Sequence, residues 1–407
     1  MAKLSAATLS ADAENQLVQG ERQPLLAPDQ KREMLSKESL EEEWDSTNYD
    51  ITKLTTWAAF GMVTGGAWDN VSLWRCFGCA ILLSCSVAVV IVFIPQASLV
   101  APEKMQKMGT FLNVFVGLLL GFFLSSSMNR WYRCVSAFLE LLDAVRGMQM
   151  QMTALGVTQE RTNMLSRYGL LSAWLLHLSL NMEANEGIPD ESEEAHGSSA
   201  KTKRLWQSLE AKRPGLVLPK EKELLMQHDE SYALLWTWVA SLIGRMAQNG
   251  EIPPMPSPTY GRILNIVQEA YGSIRDVRAL HLVKAPLIYV HTLAILVHAN
   301  NILNAIGFGL VLGLALLQFV GKGHVYNSAR WANLCCSLFI QFCFSVLAPL
   351  LYLALLEVSV CVAEPFTFND AKIPALRFLR ALEEDLKSAA MIGDDPPHWD
   401  KPCYTSK

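Results

Sequence analysis

Apolar positions in this chain do not alternate with polar ones; they gather into a few long runs separated by charged, helix-patterned stretches. The first run, Leu73–Ile94, carries a single charge and is stopped by Pro95. It is long enough to cross about 30 Å of hydrocarbon. A short link, Gln96–Gly109, leads to a second run, Thr110–Met128. The apolar stretch from Ala285 to Ala363 is too long for one crossing. It divides at Gly321-Lys-Gly-His324, predicting a third span at Pro286–Val320 and a fourth at Trp331–Val360. The third is over-long and contains Asn300, Asn301 and Asn304, so it is expected to break or to extend beyond the bilayer. Runs of this length are helical, because a lipid-exposed backbone must satisfy its own hydrogen bonds.

Other stretches follow a different pattern. Met1–Asn48 is rich in Glu, Asp, Ser, Gln and Lys with few aromatics, the composition of a disordered tail, here bounded at residues 1–55. Phe138–Gln151, Leu165–Leu180, Tyr232–Met246 and Ile263–Val283 have helical apolar spacing with charge on the other face. Such helices need water, so residues 133–283 are expected outside the bilayer. Glu183–Lys203 reads as an acidic Ser/Gly-rich loop and Pro253–Pro258 as a rigid connector. Residues 56–390 then form one domain, and 391–407 a C-terminal tail. Arg130, Arg133 and Arg146 follow the second span, and Arg275, Arg278 and Lys284 precede the third; the opposite loops offer Lys104, Lys107, Lys322 and Arg330. The positive-inside rule therefore places the helical block, and with four spans both termini, in the cytosol.

Composition agrees. Of 407 residues, 51% are apolar and only 18% charged, below the roughly 25% of a soluble domain. A net charge of −5 without a basic stripe argues against nucleic acid as a partner. Most of the nine cysteines, such as Cys85 and Cys335, lie inside apolar runs and read as small buried hydrophobes, while Cys76 and Cys79 form a CxxC with no second half. Met1–Asp29 lacks the apolar core of a signal peptide, and Glu21, Leu25 and Leu26 form an acidic dileucine pattern of the kind read by sorting adaptors. No GxSxG, HExxH or P-loop arrangement is present, so an enzyme is not expected.

The second span carries the candidate chemistry. Positions four apart drift slowly around one helix face, so Val114, Leu118 and Phe122 align and the stripe continues to Ser126 and Arg130. Around an axis shared by several subunits, an ion would meet apolar rings, then hydroxyls, then positive charge. Apolar constrictions gate by dewetting, whereas hydroxyls and cations favour anions. Ser125, Ser126 and Asn129 are the candidate polar lining. From periodicity alone, Val114, Leu118 and Phe122 suit packing or contact with lipid better than a pore lining.

Leu120-Gly121-Phe122 followed by Asn129-Arg130-Trp131 closely resembles the second transmembrane helix of the bestrophins, a family of pentameric anion channels. Ala285-Pro-Leu-Ile-Tyr289 resembles the family's entry to its third span. Ala363-Glu-Pro-Phe366, with Asn369-Asp370 and Ile373-Pro374, resembles the segment leaving the fourth, before a helix ending in a glutamate-rich turn, here Leu382–Asp385. The three occur in family order across Thr56–Ala390. The resemblance implies an all-α integral membrane protein, four transmembrane helices per subunit with a helical cytosolic portion, assembled as a homopentamer. It implies an anion-selective channel for chloride, with bicarbonate or nitrate as further candidates, whose neck is Val114, Leu118 and Phe122. Leu118 stands where animal members place an aromatic. By the same resemblance Ile295 falls at a cytosolic aperture, with His291 and His298 flanking it at i−4 and i+3. Intramembrane ionisable groups are functional candidates, so these histidines are candidates for tuning conductance, with bonding between helices the alternative. Animal members hold calcium in an acidic clasp; here Glu364, Asn369 and Asp370 are followed by Lys372, fewer carboxylates than calcium's six to eight oxygens call for. Weak or absent calcium gating is expected, as in plant, algal and bacterial members, and no other metal or cofactor. A secondary anion transporter or a non-conducting scaffold is the alternative, although no inverted repeat is visible. The protein is expected to be multi-pass, in the plasma membrane, an endomembrane or the thylakoid.

Overall fold

The computed structural model describes residues 71–94, 102–186, 194–228, 230–321, 328–366 and 372–393. The acidic tail, the dileucine pattern, Asn369, Asp370 and most of the C-terminal tail lie outside them. All regular structure among the described residues is helical: α1 Val71–Phe93, α2 Pro102–Ala154, α3 Gln159–Glu186, α4 Glu194–Lys212, α5 Pro219–Leu225, α6 Ser231–Gln248, α7 Ser257–Leu282, α8 Leu287–Gly321, α9 Ser328–Ala363 and α10 Ala375–Gly393. They fall into two units, with the division inside α2 between Tyr132 and Arg133 and again after Leu282 and Ala371.

The first unit holds α1, the first part of α2, α8 and α9. Three of its helices are long and apolar enough to cross a membrane, on α1, α2 and α8; on α9 the described apolar stretch is Pro349–Ala363. The core joins Leu73 of α1, Val116, Leu120 and Phe123 of α2, Leu293 and Val297 of α8 and Leu353 of α9. α8 packs most extensively on α1, and glycine is the reason. A Cβ at Gly309 would sit 2.6 Å from the Ser84 carbonyl oxygen, and one at Gly313 would sit 2.9 Å from Cβ of Ile91 and 3.0 Å from the Ala88 carbonyl oxygen. This small-xxx-small spacing lets two backbones approach in lipid, where no hydrophobic force pulls helices together. Beside it, the Ser84 hydroxyl lies 2.9 Å from the Ala305 carbonyl oxygen. α8 runs unbroken despite its three asparagines. Asn300 and Asn304 spend their amides on a neighbouring helix rather than on the α8 backbone.

The second unit holds the rest of α2, α3 to α7 and α10. Almost every side chain of α3 from Leu165 to Leu180 is buried, and α3 packs against α4, α6 and α10. Trp174, Trp206 and Trp236 are fully buried. Trp236 Nε1 donates to Ser172 Oγ at 3.0 Å, and that hydroxyl donates to the Tyr232 carbonyl at 2.6 Å. The polar end of a buried indole is thus satisfied. Gly169 lets α3 approach α2, since a Cβ there would lie 2.7 Å from a Val145 methyl.

Three local outcomes differ from the sequence reading. α2 does not end at Met128 but continues to Ala154, absorbing the expected helix Phe138–Gln151. Its buried positions keep helical phase through the arginine cluster (Phe123, Ser127, Cys134, Phe138, Leu141, Val145), so nothing interrupts it. It stops at Gly156, whose φ of 71° closes a Schellman turn in which Val157 N–H bonds the Met152 carbonyl at 3.1 Å. Most of the expected loop Glu183–Lys203 is helical, as the ends of α3 and α4. Leu382–Asp385 is not a turn but the middle of α10. Leu379, Leu382 and Leu386 dock that helix, and Glu383 is buried with them. Glu383 accepts from Trp174 Nε1 at 3.2 Å and pairs with Arg213. Burial pushes its pKa up, against the pull of Arg213.

Candidate functional site: the uncovered face of the second helix

In its first part α2 has two faces with different fates. Val116 and Leu120 are fully buried, in the core shared with α1, α8 and α9. Val114, Leu118 and Phe122 are 68%, 57% and 61% exposed. They form one stripe with Phe111, Gly121, Ser125, Ser126 and Asn129, all exposed, whereas Ser127 is buried. Sequence spacing dictates this split, because residues four apart share a face and residues two apart do not. α1 also leaves an exposed stripe, including Ile81, Leu82, Val89, Val90 and Phe93. There Ser86, on the exposed side, returns its hydroxyl to the Leu82 carbonyl at 2.7 Å, as a group in lipid must. The α2 stripe is distinguished by passing from apolar side chains to two hydroxyls and an amide within one apolar helix. Arg130, which continues the stripe, is half-buried.

α8 presents a comparable row. Ile295 is 55% exposed, and His291 and His298 are exposed beside it, while Leu293 and Val297 turn inward to the core. Before α8, Lys284 Nζ donates to Glu364 at 2.5 Å. Glu364 is thus the one described member of the expected calcium clasp, and its carboxylate already carries an ammonium. Calcium would need that carboxylate and several more oxygens, and the other two candidate donors, Asn369 and Asp370, lie outside the described residues. Among the described residues no group of three His, Cys, Asp or Glu is placed to hold a metal.

Two residues of the site escaped the sequence reading. Asn113, next to Val114, accepts hydrogen bonds from Asn300 Nδ2 at 2.7 Å and Asn304 Nδ2 at 3.0 Å of α8. Tyr352 of α9 donates its hydroxyl to the Asn113 carbonyl at 2.9 Å. A lone amide inside the apolar run Phe111–Val116 was the available signal for the first. Tyr352 carried none, since a tyrosine in a span is equally at home at the interface.

A family model described as "Bestrophin, RFP-TM, chloride channel" matches residues 68–373. Among solved structures, a membrane protein variant is similar with a TM-score of 0.57 at 14% identity, covering 79% of this chain and 99% of that one. A bacterial bestrophin homologue from Klebsiella pneumoniae, phased on zinc, gives a TM-score of 0.54 at 14% identity over 78% of this chain and 98% of its own. A single-substitution variant of that homologue gives 0.55 at 15% identity over 78% and 98%. At such identities the likeness shows the fold. No curated protein matches the sequence.

Proposed function

The chain belongs to the bestrophin family, and from that premise we propose that five copies enclose an anion-selective pore with a neck made by Val114, Leu118 and Phe122 of α2. The observation that carries this reading is the stripe those residues share: uncovered by α1, α8 and α9, apolar at first, then lined by Ser125, Ser126 and Asn129. Four crossings per subunit cannot readily surround a pore alone, so several copies must, each contributing one such stripe. The apolar rings form the barrier and gate by dewetting. The hydroxyls and amide beyond them replace part of an anion's hydration without trapping it. Ile295 forms a second constriction, with His291 and His298 flanking it as candidates for tuning conductance. Chloride is the expected permeant ion, with bicarbonate and nitrate as further candidates. Weak or absent calcium gating is expected, since Glu364 pairs with Lys284 and Lys372 stands where more acid would be needed.

Single-channel recording from the purified protein in planar bilayers tests the neck. The double variant Leu118→Ala with Phe122→Ala is expected to widen the dewetted segment and leave the channel open most of the time. Wild-type openings are expected to be indifferent to micromolar calcium. Unchanged gating in the double variant removes the neck assignment, and sharp activation by calcium removes the second expectation.

A further inference from the structure

Just behind the neck, three helices meet at a single residue. Asn113 Oδ1 takes both α8 amides, from Asn300 and Asn304, and the Asn113 carbonyl takes the Tyr352 hydroxyl of α9. The neighbouring positions of the same row are glycines that make room for these partners. A Cβ at Gly109 would lie 3.1 Å from Asn304 Oδ1, and one at Gly117 would lie 3.7 Å from the Tyr352 ring. Gly109, Asn113 and Gly117 thus form a small–polar–small row, spaced by four, facing α8 and α9. Val114, Leu118 and Phe122 form the adjacent row of the same helix, facing away from the core.

We propose that Asn113 is a positioning residue for the neck: its bonds to Asn300, Asn304 and Tyr352 fix the rotation of α2 and so hold the apolar side chains on the axis. The inference rests on the neck reading and deepens it. Adjacent residues of a helix are 100° apart and turn as one body, so α2 cannot rotate Val114, Leu118 and Phe122 away without breaking these bonds. Asn300 is buried and Asn113, Asn304 and Tyr352 are half-buried, so a freed amide has few partners to turn to, which favours a few discrete arrangements over a continuum. On this proposal the bonds belong to the narrow state, and loosening them favours the open one. Interhelical hydrogen bonds in membranes are individually modest, so each lost bond is expected to change the open–closed ratio by about threefold to tenfold.

Single-channel recording from full-length protein in bilayers tests this with Tyr352→Phe, Asn113→Ala, Asn304→Ala and the Asn113→Ala/Asn304→Ala pair. Tyr352→Phe keeps the ring against Gly117 and removes only the hydroxyl. Tyr352→Phe, which loses one bond, should raise the open–closed ratio about threefold to tenfold, and Asn113→Ala, which loses two, should raise it further, with unitary conductance and anion selectivity retained. The effects of Asn113→Ala and Asn304→Ala should fall short of additivity, because both delete the same bond. If Asn113→Ala does not assemble, Tyr352→Phe and Asn304→Ala carry the test. Unchanged open probability in these variants, while the Leu118→Ala/Phe122→Ala neck variant still gates abnormally, overturns the positioning role and leaves the neck intact. A normal neck variant overturns both.

Discussion

At the scale of single residues, the second unit buries groups whose charge state matters to its stability. His177 on α3 is almost wholly inaccessible, with its ring within 3.0 Å of the Asn181 amide. Burial lowers its pKa to about 3, and Lys212 and Lys372 push the same way. The unfolded chain takes up this proton near pH 6.5 and the folded one does not. The stabilisation is therefore present above pH 6.5 and is lost as pH falls toward 3. Between pH 7 and pH 5 it should cost about 2 kcal/mol. Thermal unfolding of the detergent-solubilised protein should show this slope, and His177→Gln should flatten it; an equally steep slope in the variant would place the sensitivity elsewhere. A carboxylate behaves likewise at lower pH. Burial disfavours ionised Glu221, but Arg167, bonded to it at 2.7 and 2.6 Å, outweighs this and holds its pKa down. That contribution is present above the ordinary glutamate range and is lost as pH falls through the depressed value.

At the scale of elements, the packing of α1 on α8 depends on Gly309 and Gly313, where a larger residue has no room. Gly309→Ala puts a methyl 2.6 Å from the Ser84 carbonyl oxygen, which only movement of α1 can relieve. The expected loss is about 1–3 kcal/mol, read as a lower unfolding temperature. Gly307→Ala on the same helix meets nothing within 4 Å and should be neutral or stabilising by about 0.5–1 kcal/mol. Equal effects at the two positions would contradict the close-packing argument. The existence of these helices was legible because a nearly charge-free run of some twenty residues or more is too long for a core helix and fits a bilayer. The continuity of α2 was not. Arg130 and Arg133 look like the polar end of a span, whereas a helix leaving lipid needs no break, only a partner for its next apolar face; Cys134, Phe138 and Leu141 supply it. α10 was misread for a related reason, since Glu383 looks like a surface residue until Arg213 and Trp174 are brought to it from distant parts of the chain.

At the scale of the whole molecule, the sequence marked the α2 stripe and the order of its family-like segments, and it could not show which face of α2 the other helices cover. The fold supplies that, by burying Val116 and Leu120 and leaving Val114, Leu118 and Phe122 open. In the channel reading, further copies of the chain cover this side of a membrane helix that turns polar part-way along it. The channel reading then makes a demand that neither a transporter nor a scaffold meets: passive unitary current driven only by the electrochemical gradient of the anion. The most direct measurement is the reversal potential of the purified protein in a planar bilayer under a chloride gradient. The account predicts unitary currents that reverse close to the chloride equilibrium potential; reversal near the cation potential, or no unitary current at all, would contradict it.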